Sequence, residues 1–119
     1  MAKRRIANAE GHAALKQWAV EPSACARGTI KTAVRWSLEE LAERAPGRSV
    51  EVRVPPYGAT QIIGGVTHRR GTPPAVVEMS ATTWLALVTG QSSWESAVQA
   101  GLIQASGHRA DLEPYLPLT

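Results

Sequence analysis

The chain has 119 residues, of which 44% are hydrophobic and 19% are charged, and its net charge is +3. This length and composition are typical of one folded domain and argue against a disordered chain. No apolar run approaches the roughly 18 residues that a membrane span needs. The basic N-terminus lacks the apolar segment of a signal peptide, and the single cysteine, Cys25, cannot form an internal disulfide. We therefore expect a cytoplasmic protein without an integral membrane span.

The basic residues are concentrated in the first part of the chain. Residues 1–48 hold nine basic and five acidic side chains, whereas residues 49–119 hold four and five. A basic half is compatible with a nucleic-acid or anionic-lipid partner, but no recognisable nucleic-acid motif accompanies the charge. The pattern therefore predicts a solvated helix surface and no nucleic-acid partner.

Two helices are predicted within residues 4–45. The first runs from about Arg4 to Val20, is rich in Ala, Lys, Arg and Glu, and is blocked by Pro22. Ser23 is the predicted N-cap of the second helix. The second helix carries an apolar stripe with a 3.6-residue period, made of Ile30, Val34, Leu38, Leu41 and Ala45.

The period changes from 3.6 to 2 at residue 50, and this change predicts strands. Residues 50–54 alternate valine with charged side chains, as in a strand with one buried face. A turn is predicted at residues 55–58, and Gly64-Gly65 is suited to a tight hairpin. Three further strands are predicted at Ala59–Ile63, Val66–Arg69 and Ala75–Met79.

Short helices are predicted after the fourth strand. Ser80 is the predicted N-cap of a helix that stops at Gly90. Ser92 and Glu95 form a predicted capping box for the next helix. A last strand is predicted at Leu102–Ser106, followed by one helical turn. This order predicts one α+β domain of residues 1–119, with a five-stranded, largely antiparallel sheet covered on one face by helices.

Catalytic and metal-binding signatures are absent from the sequence. The three histidines, His12, His68 and His108, lack a second ligand at metal spacing. The glycines match neither a phosphate loop nor a nucleophile elbow. Cys25 is interpreted as a small buried apolar residue. We therefore expect no catalytic residue, no metal and no cofactor.

Polar side chains cluster in the middle of the chain. They are Gln61, His68, Arg69, Arg70, Thr72 and Glu78. In one interpretation Arg70, which immediately precedes a Gly-Thr-Pro-Pro turn, binds an anionic head group through paired hydrogen bonds. In the other, Glu78 and an arginine pair across the exposed face of the sheet and only keep its edge soluble.

The chain has four tryptophans and no phenylalanine, and each tryptophan lies on a predicted helix. They are Trp18, Trp36, Trp84 and Trp94. Core packing is the default interpretation, because tryptophan buries a large surface and needs only one partner for its indole N–H. The alternative is that one or two of them line a ligand cavity between the helices and the sheet.

Residues 75–107 resemble the sterol carrier protein type-2 domain. They share with it a strand, a helix ending in Leu-x-x-Gly (87–90), a helix ending in Ala-x-x-x-Gly (97–101) and a strand closing at Ala-Ser-Gly (105–107). The strings RSVEVRVPPYGATQ and HRRGTPPAVVE are more specifically similar to a bacterial, chiefly actinobacterial, branch of sterol carrier family proteins. The resemblance extends from about Arg5 to Leu118.

The resemblance implies an apolar tunnel between a five-stranded sheet and its helices. Members of the wider family bind sterols, fatty acids and their coenzyme A esters, or serve as accessory domains of larger enzymes. The resemblance identifies no ligand for this chain, and it has no polar motif from which contact residues are carried over. The candidate ligand-binding residues therefore rest on the sequence pattern alone. They are Val52, Val54, Ile63, Met79, Trp84, Leu87, Val98 and Arg70.

The predicted function is a carrier of a small apolar molecule or lipid, such as a fatty acid or acyl-CoA. The alternative is a non-catalytic accessory or interaction module with a filled core, since the same fold supports another domain in mycothiol-dependent isomerases. A third interpretation is an enzyme that uses His68, Arg70 and Glu78. The oligomeric state stays open between a monomer and a weak dimer.

Overall fold

The protein consists of a β-sheet with helices packed on one face. The structure is a computed structural model and describes residues 6–64, 75–107 and 111–119. The helices are α1 (Asn8–Val20), α2 (Arg27–Arg44), α3 (Ala81–Val88) and α4 (Trp94–Gln99), with short 3-10 turns at Pro22–Ala24 and Glu113–Tyr115. The strands are β1 (Val50–Val54), β2 (Gly58–Ile62), β3 (Ala75–Met79) and β4 (Ile103–Ser106).

Helices α1 and α2 approach each other closely at a glycine. A β-carbon built on Gly11 of α1 would lie 2.1 Å from Cγ of Trp36, so only glycine leaves room for the ring. The indole N–H of Trp36 donates to Oδ1 of Asn8 at 3.0 Å, and the ring lies 4.7 Å from the ring of His12. Three residues of α1 therefore surround one aromatic side chain of α2.

The beginnings of both helices differ from the prediction. The first helix starts at Asn8, after an extended Ala7, whereas its predicted start at Arg4 lies outside the described residues. Ser23 is not an N-cap, because it lies in the 3-10 turn that Pro22 opens, and α2 begins only at Arg27 with Ala26 as its N-cap. Proline at the first position of that turn fixes a local backbone that a capping serine does not override.

The predicted apolar stripe of α2 is confirmed. Val34, Leu38, Leu41 and Ala45 are buried and Ile30 is half-buried. A stripe at this spacing faces one side of the helix, and here it packs onto the inner face of the sheet.

The sheet is mixed, with the strand order β2-β1-β3-β4 among the described residues. The two outer pairs are antiparallel, but the central strands β1 and β3 are parallel, with Val50 opposite Ala75 and Val52 opposite Val77. The α+β class is thus confirmed, whereas the predicted five-stranded, largely antiparallel sheet is corrected: the sheet is mixed with a parallel central pair, and the described residues form four strands of it. The predicted strand Val66–Arg69 lies outside the described residues.

The two faces of the sheet differ sharply in polarity. Residues 50–54 show the predicted alternation, since their three valines are buried and the two charged side chains between them are not. The buried inner face is made of Val50, Val52, Val54, Ile62, Ala75, Val77 and Met79. The strand register places Glu51, Arg53, Gln61, Glu78 and Gln104 on the opposite face.

The caps of the short helices confirm one prediction and correct another. Ser80 caps α3, and its hydroxyl accepts a hydrogen bond of 3.2 Å from the amide of Thr83. Helix α4 is capped by Ser93, which accepts from the amide of Ser96, so the predicted capping box of Ser92 and Glu95 is wrong by one residue. Two adjacent serines offer equivalent hydroxyls, and the pattern alone does not choose between them.

Candidate functional site

A groove of about 340 Å³ lies between helix α2 and the start of strand β2. We call it the α2–β2 groove. It is lined by Ile6, Arg35, Leu38, Glu39, Tyr57, Gly58, Ala59 and Thr60. The lining combines apolar side chains with one basic and one acidic residue.

The floor of the groove follows from close packing of α2 against β2. Leu38 belongs to the buried stripe of α2, and a β-carbon on Gly58 would lie 3.4 Å from its Cδ1 atom. Tyr57 precedes Gly58 in the turn that joins β1 to β2, and it is half-buried. The backbone amide of Tyr57 donates to the carbonyl of Val54 at 2.9 Å, which holds this turn in place.

A hydrogen bond from the side chain of Arg35 fixes this residue at the groove. Its Nε–H donates to the carbonyl of Tyr57 at 3.1 Å and so ties α2 to the β1–β2 turn. Within residues 6–64, 75–107 and 111–119, the two terminal NH₂ groups of Arg35 make no hydrogen bond or ion pair. A guanidinium fixed through Nε still offers donors in the geometry that matches a carboxylate or phosphate.

Glu39 lies one helical turn after Arg35 and lines the same groove. Its Oε1 accepts from the backbone amide of Ile6 at 3.3 Å, which brings the segment before α1 onto the groove. Among the described residues, Arg35 and Glu39 do not form an ion pair with each other. The groove therefore presents a positive and a negative group side by side.

Two further depressions lie elsewhere on the surface. One of about 260 Å³ lies between the end of α3, the start of α4 and the C-terminal residues, and Leu87, Trp94 and Leu116 are among its lining residues. The other, of about 460 Å³, lies on the polar side of the sheet beside Pro55 and Pro56. Neither places an arginine with unengaged NH₂ groups against an apolar floor.

The structure brings most of the predicted apolar lining residues into one packed core. Five of the eight candidates are buried there, namely Val52, Val54, Met79, Trp84 and Leu87. Trp84 is fully buried, and its indole N–H donates to Oγ of Ser37 at 2.8 Å. Ile63 is half-buried against this core, whereas Val98 is 49% exposed and Arg70 lies outside the described residues.

Ile63 has a backbone conformation that is unusual for a β-branched residue. Its φ angle is 64°, and its amide donates to the carbonyl of Ala45 at 2.7 Å. The carbonyl of Ile63 accepts from Ser49 at 3.0 Å. Gly47 lies against the same backbone, because a β-carbon on it would be 2.0 Å from the carbonyl carbon of Ile63. This residue therefore joins the end of α2 to the sheet.

The predicted polar cluster is only partly described, since His68, Arg69, Arg70 and Thr72 lie outside the described residues. Gln61 accepts from Nε of Arg48 at 3.2 Å. Arg53 is aligned with Glu78 across the parallel pair, but it forms its ion pair with Glu51, at 2.7 Å. Glu78 makes no ion pair with any residue that the structure describes.

Sequence reasoning missed Arg35, Tyr57 and Glu39 as site residues. Arg35 follows Val34 of the apolar stripe and precedes Leu38 by three positions, so it lies at the border of that stripe. Lys31 has the same position relative to Ile30 and Val34, so this pattern alone does not identify Arg35 as a site residue. The contact with Tyr57 joins residues that are 22 positions apart, so the sequence around Arg35 does not indicate it.

Residues 26–118 match the model of a family described as bacterial SCP ortholog, where SCP denotes sterol carrier protein. The chain belongs to this bacterial sterol carrier protein family. The family match includes α2, all four described strands and every groove residue except Ile6, whereas α1 precedes it. No curated protein matches the chain.

Other features of this sterol carrier family member bear on its chemistry. Among the described residues, no three His, Cys, Asp or Glu side chains are grouped closely enough to hold a metal ion. In the same part of the chain, no helix combines the length and the apolar character that crossing a membrane requires. Burial raises the pKa of the Cys25 thiol, so the neutral form of the thiol is favoured.

Proposed function

We propose that this protein is a non-catalytic carrier of a small amphipathic ligand and that the α2–β2 groove receives the polar end of that ligand. The observation that carries the proposal is the position of Arg35, whose NH₂ groups are unengaged beside the apolar surface of Leu38 and Tyr57. Membership of the bacterial sterol carrier protein family supports a lipid-carrying role.

The groove chemistry favours an anionic head group attached to an apolar chain. A carboxylate accepts two parallel hydrogen bonds from a guanidinium, and such charge-assisted bonds are roughly twice as strong as neutral ones. Glu39 opposes an anion at the same place, and this repulsion limits the affinity. A volume of about 340 Å³ is near the lower end of small-molecule sites, which favours a short chain or the first part of a longer one.

A longer chain would have to enter the core. The buried candidates Val52, Val54, Met79, Trp84 and Leu87 would enclose it, but they now pack against one another. Separating α3 from the sheet would break the apolar contacts among these side chains. Only a ligand that buries a comparable apolar area would compensate for the lost free energy. Ile63, Val98 and Arg70 remain sequence-based candidates for this longer path.

Decanoate is a suitable probe for the proposal. We expect a titration followed by backbone amide chemical shifts to perturb the residues of the α2–β2 groove. Arg35→Gln should weaken binding by about two- to five-fold, because an ion pair at an exposed arginine contributes about 0.2–1 kcal/mol. Arg44→Gln is the matched control on the same helix, since Arg44 pairs with Glu40 outside the groove.

Three results bear on the proposal. Equal loss of affinity in both arginine variants would show non-specific attraction and exclude Arg35 as the anchor. Decanol of the same chain length should bind more weakly than decanoate. If neither amphiphile binds, and if native mass spectrometry of the purified protein shows no bound lipid, the carrier function is wrong.

A second candidate function is a non-catalytic interaction module with a filled core. The tight packing of Trp84, whose N–H is satisfied by Ser37, favours it, because a filled core leaves no room for cargo. Under this alternative, no acyl probe is taken up, and a protein partner is retained on the immobilised chain through an exposed surface.

A further inference from the structure

Within residues 6–64, 75–107 and 111–119, strand β4 forms one edge of the sheet. It pairs with β3 on one side, with Ile103 opposite Met79 and Ala105 opposite Val77, and no described residue pairs with its other side. An edge strand with open backbone N–H and C=O groups is a template for another strand.

The helix layer does not reach this edge. Ala105 is on the same sheet face as the buried Val77, yet Ala105 is exposed. Three large hydrophobic side chains are exposed among the described residues, and two of them, Val98 at 49% and Leu102 at 51%, lie in the segment that leads into β4. Apolar side chains and open backbone groups therefore lie together at one edge.

The edge lacks charged residues and proline, which are two of the usual protections against pairing. Natural edge strands carry charged residues, proline or bulges that block a second strand. Residues 96–107, which include all of β4, contain no charged residue and no proline, although 19% of the whole chain is charged. Two copies of this segment therefore meet without charge repulsion, whereas the rest of the molecule has a net positive charge.

We propose that β4 pairs antiparallel with β4 of a second copy of the chain and that the sheet continues across the resulting dimer. Antiparallel pairing of identical strands is a closed two-fold arrangement, so the β4 edges of both copies are satisfied at once and this contact adds no further copy. Leu102 of each copy directly precedes the paired strand. A four-residue strand gives a small interface, so the dimer forms and dissociates with concentration.

Sedimentation and light scattering from about 1 μM to about 1 mM test this proposal. We expect the mass to rise from 12.7 kDa towards twice that value. Ala105→Lys and Leu102→Asp, both at exposed positions, should remain monomeric with unchanged melting temperature. Val20→Asp is the matched control, because Val20 is 81% exposed on α1 and far along the chain from β4, and this variant should dimerise like the wild type.

Hydrogen exchange separates β4 pairing from other kinds of association. In the wild type, the amides of residues 103–106 should exchange more slowly as the concentration rises, and in Ala105→Lys they should not. A wild-type protein that stays monomeric at the highest concentration overturns the proposal. So does a dimer in which exchange at these amides is unchanged, or one that Val20→Asp disrupts as strongly as Leu102→Asp does.

Discussion

The indole N–H of Trp84 donates a hydrogen bond of 2.8 Å to the hydroxyl of Ser37, and both side chains are fully buried. The Ser37 hydroxyl donates in turn to the carbonyl of Ala33 at 2.7 Å. Ser37 is on α2 and Trp84 is on α3, so this bond joins two helices above the sheet. One of the three buried tryptophans of the core thus has its indole N–H satisfied by a side chain of the protein.

Replacing Ser37 by alanine should destabilise the fold by about 1–3 kcal/mol, because the indole N–H is left buried without an acceptor. Urea unfolding at 25 °C measures the change. Ser96→Ala, at an exposed serine of α4, should cost less than about 0.5 kcal/mol. In a Trp84→Phe background, which has no indole N–H, the Ser37→Ala cost should shrink; an unchanged cost would show that the hydrogen bond does not matter.

Replacing Gly11 by alanine should also destabilise the protein. Alanine favours helix by about 1 kcal/mol over glycine, but its β-carbon would be placed 2.1 Å from Cγ of Trp36. Moving α1 or the ring away costs about 1–3 kcal/mol, and this cost outweighs the gain in helix propensity. Gly28→Ala on α2 is the control, since nothing lies within 4 Å of its added β-carbon. The melting temperature should fall for Gly11→Ala only, and a rise in both variants would contradict the close approach.

Gly47 should tolerate no side chain. Its φ angle is +149°, and an added β-carbon would lie 2.0 Å from backbone atoms of Ile63, which cannot rotate away as a side chain can. We expect Gly47→Ala to lower stability by about 2 kcal/mol or more in urea unfolding. Gly64→Ala should be much milder, because its β-carbon would lie 3.7 Å from the carbonyl oxygen of Pro46. Equal losses in the two variants would contradict this difference.

Cys25 should react slowly with alkylating agents at neutral pH. Burial raises the pKa of its thiol, so the folded protein holds the proton more tightly than the unfolded chain does. Stability therefore falls as the pH rises past the ordinary thiol pKa, since the unfolded state ionises first. Iodoacetamide rates measured against pH should show a higher midpoint in buffer than in urea. A midpoint that is equal or lower in the folded protein would disprove the shift.

Local sequence predicted the positions of the helices and strands well because their periods differ. The stripe from Ile30 to Ala45 and the alternation over residues 50–54 each reflect one buried face, and the structure buries those faces. Ser80 was predictable as a cap because an N-cap depends only on a suitable residue directly before the helix. The relative direction of β1 and β3 was not predictable, because alternation identifies the buried face of a strand but not the strand that pairs with it.

The candidate site was harder to predict than the fold. The groove depends on Arg35 reaching the carbonyl of Tyr57, which is 22 positions away, and no periodicity records such a contact. The apolar candidates are residues that the sequence pattern places on inward faces. An inward-facing side chain belongs either to a packed core or to a cavity wall, and the pattern does not distinguish the two. Trp84 illustrates this ambiguity, because burial alone suits both and only its bond to Ser37 shows how it is packed.

The parallel pairing of β1 with β3 has a consequence for how the chain can be divided. A cut between residues 64 and 75 would leave β1 with β2 on one piece and β3 with β4 on the other. Each piece would keep two of the described strands and two of the described α-helices, but neither would keep the β1–β3 pair. The hydrogen bonds between β1 and β3 would then have to form between the two pieces, so each piece would supply the missing neighbouring strand of the other. Re-association of the two pieces would therefore have to rebuild the β1–β3 pair at the centre of the sheet.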